Sequence, residues 1–518
     1  MQGSEPVELL ARVQAHGGRR AITAQEGRFS YDQLWQASGG VAAGLLQGAA
    51  DLAEQRVALL APSGLRYAAG LFGIWRAGGV VAPLAVSYPR PELEYVIDDS
   101  QASLLLTTSE YADKLQPIAQ ERNLRLIVMD LAQPLPAAGP LPSLASGRRA
   151  MIVYTSGTTG KPKGAVFTHH TIRWQMAGLL TGWGWSPDDR ILHVLPLHHS
   201  HGIIIILLCA LWSGAVCEML PRFEAEEVWR RLASGDITLF MAVPTVYTRL
   251  VAAWEAAPPA EQARLSAAVT GLRLMVSGSA ALPVRVLDKW RQITGHVLLE
   301  RYGTTETGVV LSNPLHGPRL AGTVGLPLRP EGLRVVDKHG AAVAEGAPGE
   351  LLVRDPALFL EYWGRPEATA AAFSDGWYRT GDVVVVEKGV YRIMGRGSVD
   401  IIKTGGFKVS ALEVEETLRE HPAVADCAVV GVPDEEWGQR VAVAVVPRPG
   451  AALSLEELRA WAKELLAPYK VPSRLLVLEQ LPRNPMGKVT KHQVTAMFAP
   501  PAPAPAPAPA PAAAAERA

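Results

Sequence analysis

The sequence predicts an α/β protein of more than one domain, on three observations. Short apolar runs rich in Val, Leu and Ile alternate with longer segments of helical period, the composition supports a large core, and the pattern changes near residues 349 and 396. The runs at 56–60, 80–85, 104–107, 126–129, 152–154, 191–195, 239–242 and 272–276 read as strands with helices between them. This is the pattern of βα units around largely parallel sheets covered on both faces. From residue 349, GELLVRDPALFLEYW and DVVVVEKGVYRIMGR predict short strands joined by turns, a small antiparallel subdomain that closes a large N-terminal domain, 1–395. A mobile α+β C-terminal domain is expected over 396–498, with helices at 410–421 and 455–466 and strands at 425–432 and 440–446. Ser454 and Glu457, three residues apart, predict a capping box for the second helix. Residues 499–518, nearly all Pro and Ala, can form no packed core and read as a disordered, polyproline-like tail.

With 48% hydrophobic and 19% charged residues, the 518-residue chain can bury extensive apolar surface. At roughly 100–200 residues per domain it should hold several domains or subdomains. Its 50 Lys and Arg match 50 Asp and Glu, so it lacks the basic excess through which a nucleic-acid binder neutralises phosphates. The three cysteines have no paired spacing, and residues 1–18 show no signal-peptide apolar stretch, so a reducing, cytoplasmic location is expected. The longest uncharged apolar run, GIIIILLCALWSGAVC at 202–217, has 16 residues. A membrane span needs about 18, so the run reads as a buried helix.

The chemistry is concentrated in a few stretches. YTSGTTGKPKG (154–164) follows an apolar strand and carries three glycines, four Ser or Thr and two lysines. Such a loop lets backbone N–H groups approach phosphate oxygens while hydroxyl and ammonium groups add donors. A Walker A loop is excluded: it places four residues between its first glycine and Gly-Lys-Ser/Thr, whereas only two residues separate Gly157 from Gly160 and Pro162 follows Lys161. Further along lie LPLHHSHG (195–202), ERYGTTE (300–306), WYRTGD (377–382), IMGRGSVDIIKTGGFKVS (393–410) and PRNPMGKVTK (482–491). The HHSH run lacks an i, i+4 pair with a third ligand and so does not read as a metal site.

Taken together and in this order, these motifs resemble those of the adenylate-forming superfamily that includes acyl-CoA synthetases, over nearly the whole chain except its tail. The resemblance implies a two-step reaction. A carboxylate attacks the α-phosphorus of ATP and pyrophosphate leaves; the thiol of coenzyme A then attacks the acyl-adenylate and AMP leaves. It also implies roles for residues of this sequence. Thr155, Ser156, Thr158, Thr159 and Lys163 would hold the β- and γ-phosphates, with Gly157 and Gly160 in the same loop. Thr305 would touch the α-phosphate and Glu306 would ligate Mg²⁺, a hard cation suited to an acidic oxygen. Tyr302, in the Gly303–Thr304 motif, would stack on adenine opposite Ser277, Gly278, Ser279 and Ala280. Asp382 would accept hydrogen bonds from the ribose, with Arg396 nearby. Lys488 would bridge carboxylate and α-phosphate, and Gly405 and Gly406 would line the path of the thiol after the C-terminal domain rotates. His199 would stand at the acyl pocket wall. From the residues alone, Glu306 equally fits the first turn of a helix beginning near Thr304, and Asp382 a turn after Gly381.

One residue points to the acid. In an extended LLERY segment neighbouring side chains face opposite ways, so Arg301 is poorly placed to pair with Glu300. A guanidinium beside a buried acyl site requires another anion, and a carboxylate is its natural bidentate partner. This implies a small dicarboxylic acid, and the surrounding sequence is similar to malonyl-CoA synthetases, in the branch of the animal mitochondrial acyl-CoA synthetase family member 3. Arg301, helped by His201, would hold the distal carboxylate of malonate or methylmalonate. Two alternatives stay open at this level: a short- or medium-chain monocarboxylate CoA ligase, and an adenylating enzyme that loads a carrier protein.

Overall fold

The computed structural model describes residues 5–130, 139–155, 162–397, 399–404, 407–434, 437–484 and 487–498. The predicted loop residues Ser156, Gly157, Thr158, Thr159 and Gly160, the pair Gly405 and Gly406, and the Pro-Ala tail lie outside the described residues. The chain divides into two compact units, Met1–Gly397 and Ser398–Ala518.

The first unit contains three sheets among its described residues. A nine-stranded sheet is parallel through its middle, where Arg190–His193, Val216–Met219, Leu239–Ala242, Leu274–Ser277 and Leu299–Thr304 run side by side. Its edges are antiparallel, formed by Gly27–Ser30 at one end and by Gly308–Ser312 and Leu326–Pro327 at the other. A seven-stranded sheet is parallel from Arg125–Met129 to Arg149–Thr155 and ends in antiparallel Lys163–Thr168 and Glu361–Tyr362. A smaller antiparallel sheet holds Gly349–Val353, Trp377–Glu387 and Val390–Arg396. The expected α/β class is therefore observed, and antiparallel edges cap what periodicity presented as parallel runs.

Helix Leu65–Arg76 shows how the two large sheets are tied together. Its apolar face is buried in a core that takes side chains from both sheets. Trp75 Nε1 donates to the Ala150 carbonyl at 2.7 Å, and the Tyr67 hydroxyl donates to the Leu197 carbonyl at 2.6 Å. One helix thus grips strand Arg149–Thr155 and the segment after Arg190–His193. That segment is closed by His193: Nδ1 accepts from the Leu195 N–H, and Nε2 donates to the Gly202 carbonyl at 2.9 Å. A Cβ on Gly202 would lie 2.4 Å from the Pro196 carbonyl oxygen, so the loop closes only on glycine.

The 202–217 run departs from the expected single helix. It forms a π-helix, His201–Leu208, and a short α-helix, Cys209–Ser213, which ends at Gly214 with φ of +79° before strand Val216–Met219 begins. A left-handed glycine terminates a helix at little cost, and apolar composition alone does not reveal it. Among the described residues no helix is long and apolar enough to cross a membrane.

The second unit is an α+β body whose main sheet pairs Val424–Asp434 with Gly438–Pro447, flanked by helices Ala411–Arg419 and Leu455–Leu465. The latter begins with the capping box expected at Ser454 and Glu457. All three cysteines are buried free thiols.

Burial pushes the pKa of His169 down to about 3 and that of His193 to about 4. Both are neutral in the folded protein, whereas the unfolded chain binds protons below about pH 6.5. Stability is therefore complete above that pH and falls as pH drops from 6.5 toward 4, by about 3 kcal/mol per histidine. Urea unfolding at pH 7.5, 5.5 and 4.5 should show a midpoint that declines before the carboxylates titrate; a flat midpoint would contradict neutral burial.

Candidate active site

The carboxyl ends of the parallel strands in the nine-stranded sheet assemble the first cluster. Leu274–Ser277 and Leu299–Thr304 are parallel neighbours with Ser277 opposite Glu300. Glu300 turns one way and accepts a hydrogen bond from the Leu282 N–H at 3.1 Å, and Arg301 turns the other. The Arg301 side chain lies against Gly278, where a Cβ would stand 2.3 Å from its Nε. Ser279 follows in the left-handed region with φ of +70°, and its Oγ meets both His201 Nδ1 at 3.1 Å and Arg301 Nη2 at 3.4 Å. Thus His201, Ser279 and Arg301, predicted from separate motifs, form one group.

Arg301 is 4% exposed, its Nε has no hydrogen-bond partner, and no acidic side chain pairs with it among the described residues. Burial lowers its pKa to about 10, so it stays charged at neutral pH. A buried cation without a counter-ion is strongly unfavourable, and the protein accepts that cost at this position. Among the described residues the site therefore presents a buried positive charge with no acidic partner.

A second cluster sits where the smaller antiparallel sheet meets the same strand. The Tyr302 hydroxyl donates to Asp382 Oδ2, and Arg396 Nε pairs with Asp382 Oδ1 at 3.4 Å. Burial and the Asp382 charge hold the Tyr302 pKa well above its ordinary value, so the phenol keeps its proton. Asp382 lies within strand Trp377–Glu387 rather than in an isolated turn, and Arg396 is its cross-strand neighbour.

The third cluster surrounds Glu306. No helix begins near Thr304; residues 305–307 form the turn between antiparallel Leu299–Thr304 and Gly308–Ser312. Thr304 and Thr307 close the turn, the Thr304 N–H donating to Thr307 Oγ1 at 3.0 Å and the Thr307 N–H donating to Thr304 Oγ1 at 3.3 Å. Gly303 occupies the bulge at the turn's base, where a Cβ would lie 1.9 Å from the Gly308 carbonyl oxygen. Glu306 is buried, accepts from the Tyr362 hydroxyl at 2.9 Å and forms no ion pair among the described residues. The ring of the same tyrosine carries Lys163 Nζ 4.5 Å from its centroid, a cation–π contact. Tyr362, which motif spacing did not single out, thereby joins the predicted phosphate-binding lysine to the predicted metal ligand. A buried carboxylate with no ion pair among the described residues fits a hard divalent cation in this position.

At the strand ends that flank residues 156–161, Thr155 faces Lys163 across the antiparallel pair. Beside these strand ends the Tyr154 hydroxyl donates to Asp99 at 2.9 Å, Arg365 donates to Asp99 at 2.6 Å, and the Tyr95 hydroxyl donates to the Pro162 carbonyl. Thr305 is half-buried in the Glu306 turn, and Ala280 is exposed just beyond Ser279. His199 is half-buried, with its ring 3.8 Å from that of His198. His198 is a core histidine, edge-on to Tyr88, and burial holds its pKa near 4. No group of three or more His, Cys, Asp or Glu that could hold a metal occurs among the described residues. Lys488 belongs to the second unit, where its N–H donates to Asn484 Oδ1 at 3.0 Å.

Comparison with known proteins agrees with this geometry. Residues 9–363 match the model of the AMP-binding enzyme family and residues 413–488 that of the AMP-binding enzyme C-terminal domain. The human protein malonate–CoA ligase ACSF3, mitochondrial, is 45% identical over 95% of this chain and 92% of its own length. A malonate–CoA ligase of Arabidopsis thaliana is 42% identical over 92% of this chain and 86% of its own. The crystal structure of ATP-bound MatB from Rhodopseudomonas palustris superimposes with a TM-score of 0.87 at 32% identity, over 95% of this chain and 99% of that one.

Because no acid among the described residues compensates Arg301, replacing it with Met should stabilise the ligand-free protein and raise its thermal midpoint by about 2–4 °C. A lowered midpoint would show that the guanidinium is satisfied within the protein.

Proposed function

The chain belongs to the AMP-binding enzyme family, and on that premise we propose that it ligates malonate, with methylmalonate as a second acid, to coenzyme A. ATP is consumed and AMP and pyrophosphate are released. The observation that carries this proposal is the buried Arg301, compensated by no acid of the protein among the described residues. A malonate placed with one carboxylate on Arg301 supplies the missing anion and leaves the other carboxylate free to react.

In the first step an oxygen of that free carboxylate bonds to the α-phosphorus, and the bond to pyrophosphate breaks. The barrier is lowered by positioning and by neutralising phosphate charge. Thr155, Ser156, Thr158, Thr159 and Lys163 are assigned to the β- and γ-phosphates, with Gly157 and Gly160 letting the backbone approach them. The Lys163 ammonium, held over Tyr362 by a ring face, remains free of carboxylate partners among the described residues, which supports that assignment. Thr305 is assigned to the α-phosphate. Glu306 would hold Mg²⁺, whose charge offsets the phosphate oxygens when bound, and Tyr362 orients the Glu306 carboxylate by its hydrogen bond. Tyr302 and 277–280 are assigned to the adenine, and Asp382, fixed by Tyr302 and Arg396, to the ribose hydroxyls. Lys488 is assigned to the carboxylate and α-phosphate in this step.

In the second step the thiol sulfur of coenzyme A bonds to the acyl carbon, the bond to AMP breaks, and the thiol proton is released. Gly405 and Gly406 are assigned to the thiol's path. We place the reaction in the cytoplasm, a reducing compartment, which the three buried free thiols support.

Pyrophosphate release should be measured with malonate, methylmalonate, succinate and octanoate, with and without coenzyme A. A site that buries an unpaired charge rejects acids lacking the second carboxylate by about 10³-fold or more in kcat/KM, so malonate should rank first and octanoate last, with steady turnover only when coenzyme A is present. Octanoate ranking first, or turnover indifferent to coenzyme A, would contradict the proposal.

A further inference from the structure

Within the second unit an alternating series of charged side chains runs through the interior. Asp400 pairs with Lys491 at 2.6 Å, Lys491 with Glu415 at 2.7 Å, Glu415 with Arg419 at 3.3 Å, Arg419 with Asp426 at 3.5 Å, and Asp426 with Arg483. The middle of the series is buried: the Glu415 side chain is 4% exposed and that of Lys491 10%. Burial pushes the Lys491 pKa down, and the Glu415 and Asp400 carboxylates reverse the direction and hold it above the ordinary lysine value. Removing the lysine takes from Asp400 and Glu415 the cation they share and leaves Glu415 with Arg419.

The two ends of the series are informative. Asp400 lies in the short segment with which this unit begins, and its carbonyl accepts the Ala411 N–H at 2.7 Å, at the start of helix Ala411–Arg419. At the other end, Arg483 and Lys491 flank the loop that holds Lys488. The Thr490 N–H donates to the Pro482 carbonyl at 2.8 Å, and the Asn484 N–H to the Lys488 carbonyl at 2.9 Å. The Arg483 guanidinium also donates to the Gly487 carbonyl. The described residues on either side of Lys488 are therefore joined to each other, with Arg483 pinned to Asp426 and Lys491 to Asp400 and Glu415.

We propose that Lys491 is a positioning residue for Lys488: its two ion pairs lock the Lys488 loop to the first segment of the unit, so that loop and segment keep one geometry. The inference rests on the role proposed above for Lys488. Lys488 is assigned to adenylation and not to thioester formation, so the effect should be confined to the first step.

The test uses the full-length enzyme and separates the steps: malonate-dependent ATP–pyrophosphate exchange for adenylation, and thioester formation from supplied malonyl-adenylate and coenzyme A. Lys491→Met should slow adenylation about 10- to 100-fold, the scale of an ångström-level misplacement, with thioester formation within about 3-fold of the parent. Lys491→Arg should restore adenylation. Adenylation within 2-fold of the parent in Lys491→Met, or an equal fall in both steps, would overturn the proposal. If Lys491→Met does not fold, Asp400→Asn, which leaves the Glu415 pair in place, is judged by the same two criteria. Lys488→Ala run in parallel separates the two levels. Normal adenylation in that variant would remove the role of Lys488 itself, whereas slow adenylation there with normal adenylation in Lys491→Met would refute only the positioning.

Discussion

A buried guanidinium with no acidic partner among the described residues is the constraint around which the candidate site is arranged. Arg301 takes room that exists only because residue 278 has no Cβ, and the next residue, Ser279, adopts a left-handed backbone that brings its hydroxyl between Arg301 and His201. Three segments distant in sequence are thus committed to one cation. In a low-dielectric site such a charge costs several kcal/mol unless it is compensated, and the same cost, removed only when an anion arrives, discriminates among acids.

The rest of the first unit supplies rigidity around that point. The strand carrying Arg301 continues through Tyr302, tied to Asp382, and into the Thr304–Thr307 turn that presents Glu306. Tyr362 connects Glu306 to Lys163 with its two faces of chemistry, a hydroxyl donor and a π-surface. Along one six-residue strand and its turn, the groups assigned to the acid, the nucleotide and the metal follow in order, which fixes their spacing by covalent geometry as well as by packing.

Much of this was legible in the sequence because it depends on local features. Strand periodicity located the sheets, Ser454 and Glu457 announced their helix, and alternation along LLERY put Glu300 and Arg301 on opposite faces as observed. The unread features depend on distant contacts or on backbone signs. Tyr362 meets Glu306 across 56 residues, and Gly278 accommodates the Arg301 side chain as well as flanking the proposed adenine site. His193 gave no signal, because its role is to close a loop by hydrogen bonds to its own backbone neighbourhood. The apolar run at 202–217 looked continuous, yet one left-handed glycine divides it into helix and strand.

Overall neutrality, 50 basic against 50 acidic residues, shows none of the basic excess expected of a polyanion binder and leaves open a focused positive site, since a sum over the chain does not describe the field in a cleft. The central claim is that Arg301 selects the acid by its second carboxylate. The most direct measurement is the ratio of kcat/KM for malonate to that for acetate in the parent enzyme and in Arg301→Ala. The account predicts a collapse of that ratio by about 10²-fold or more, arising from the malonate value; an unchanged ratio would contradict it.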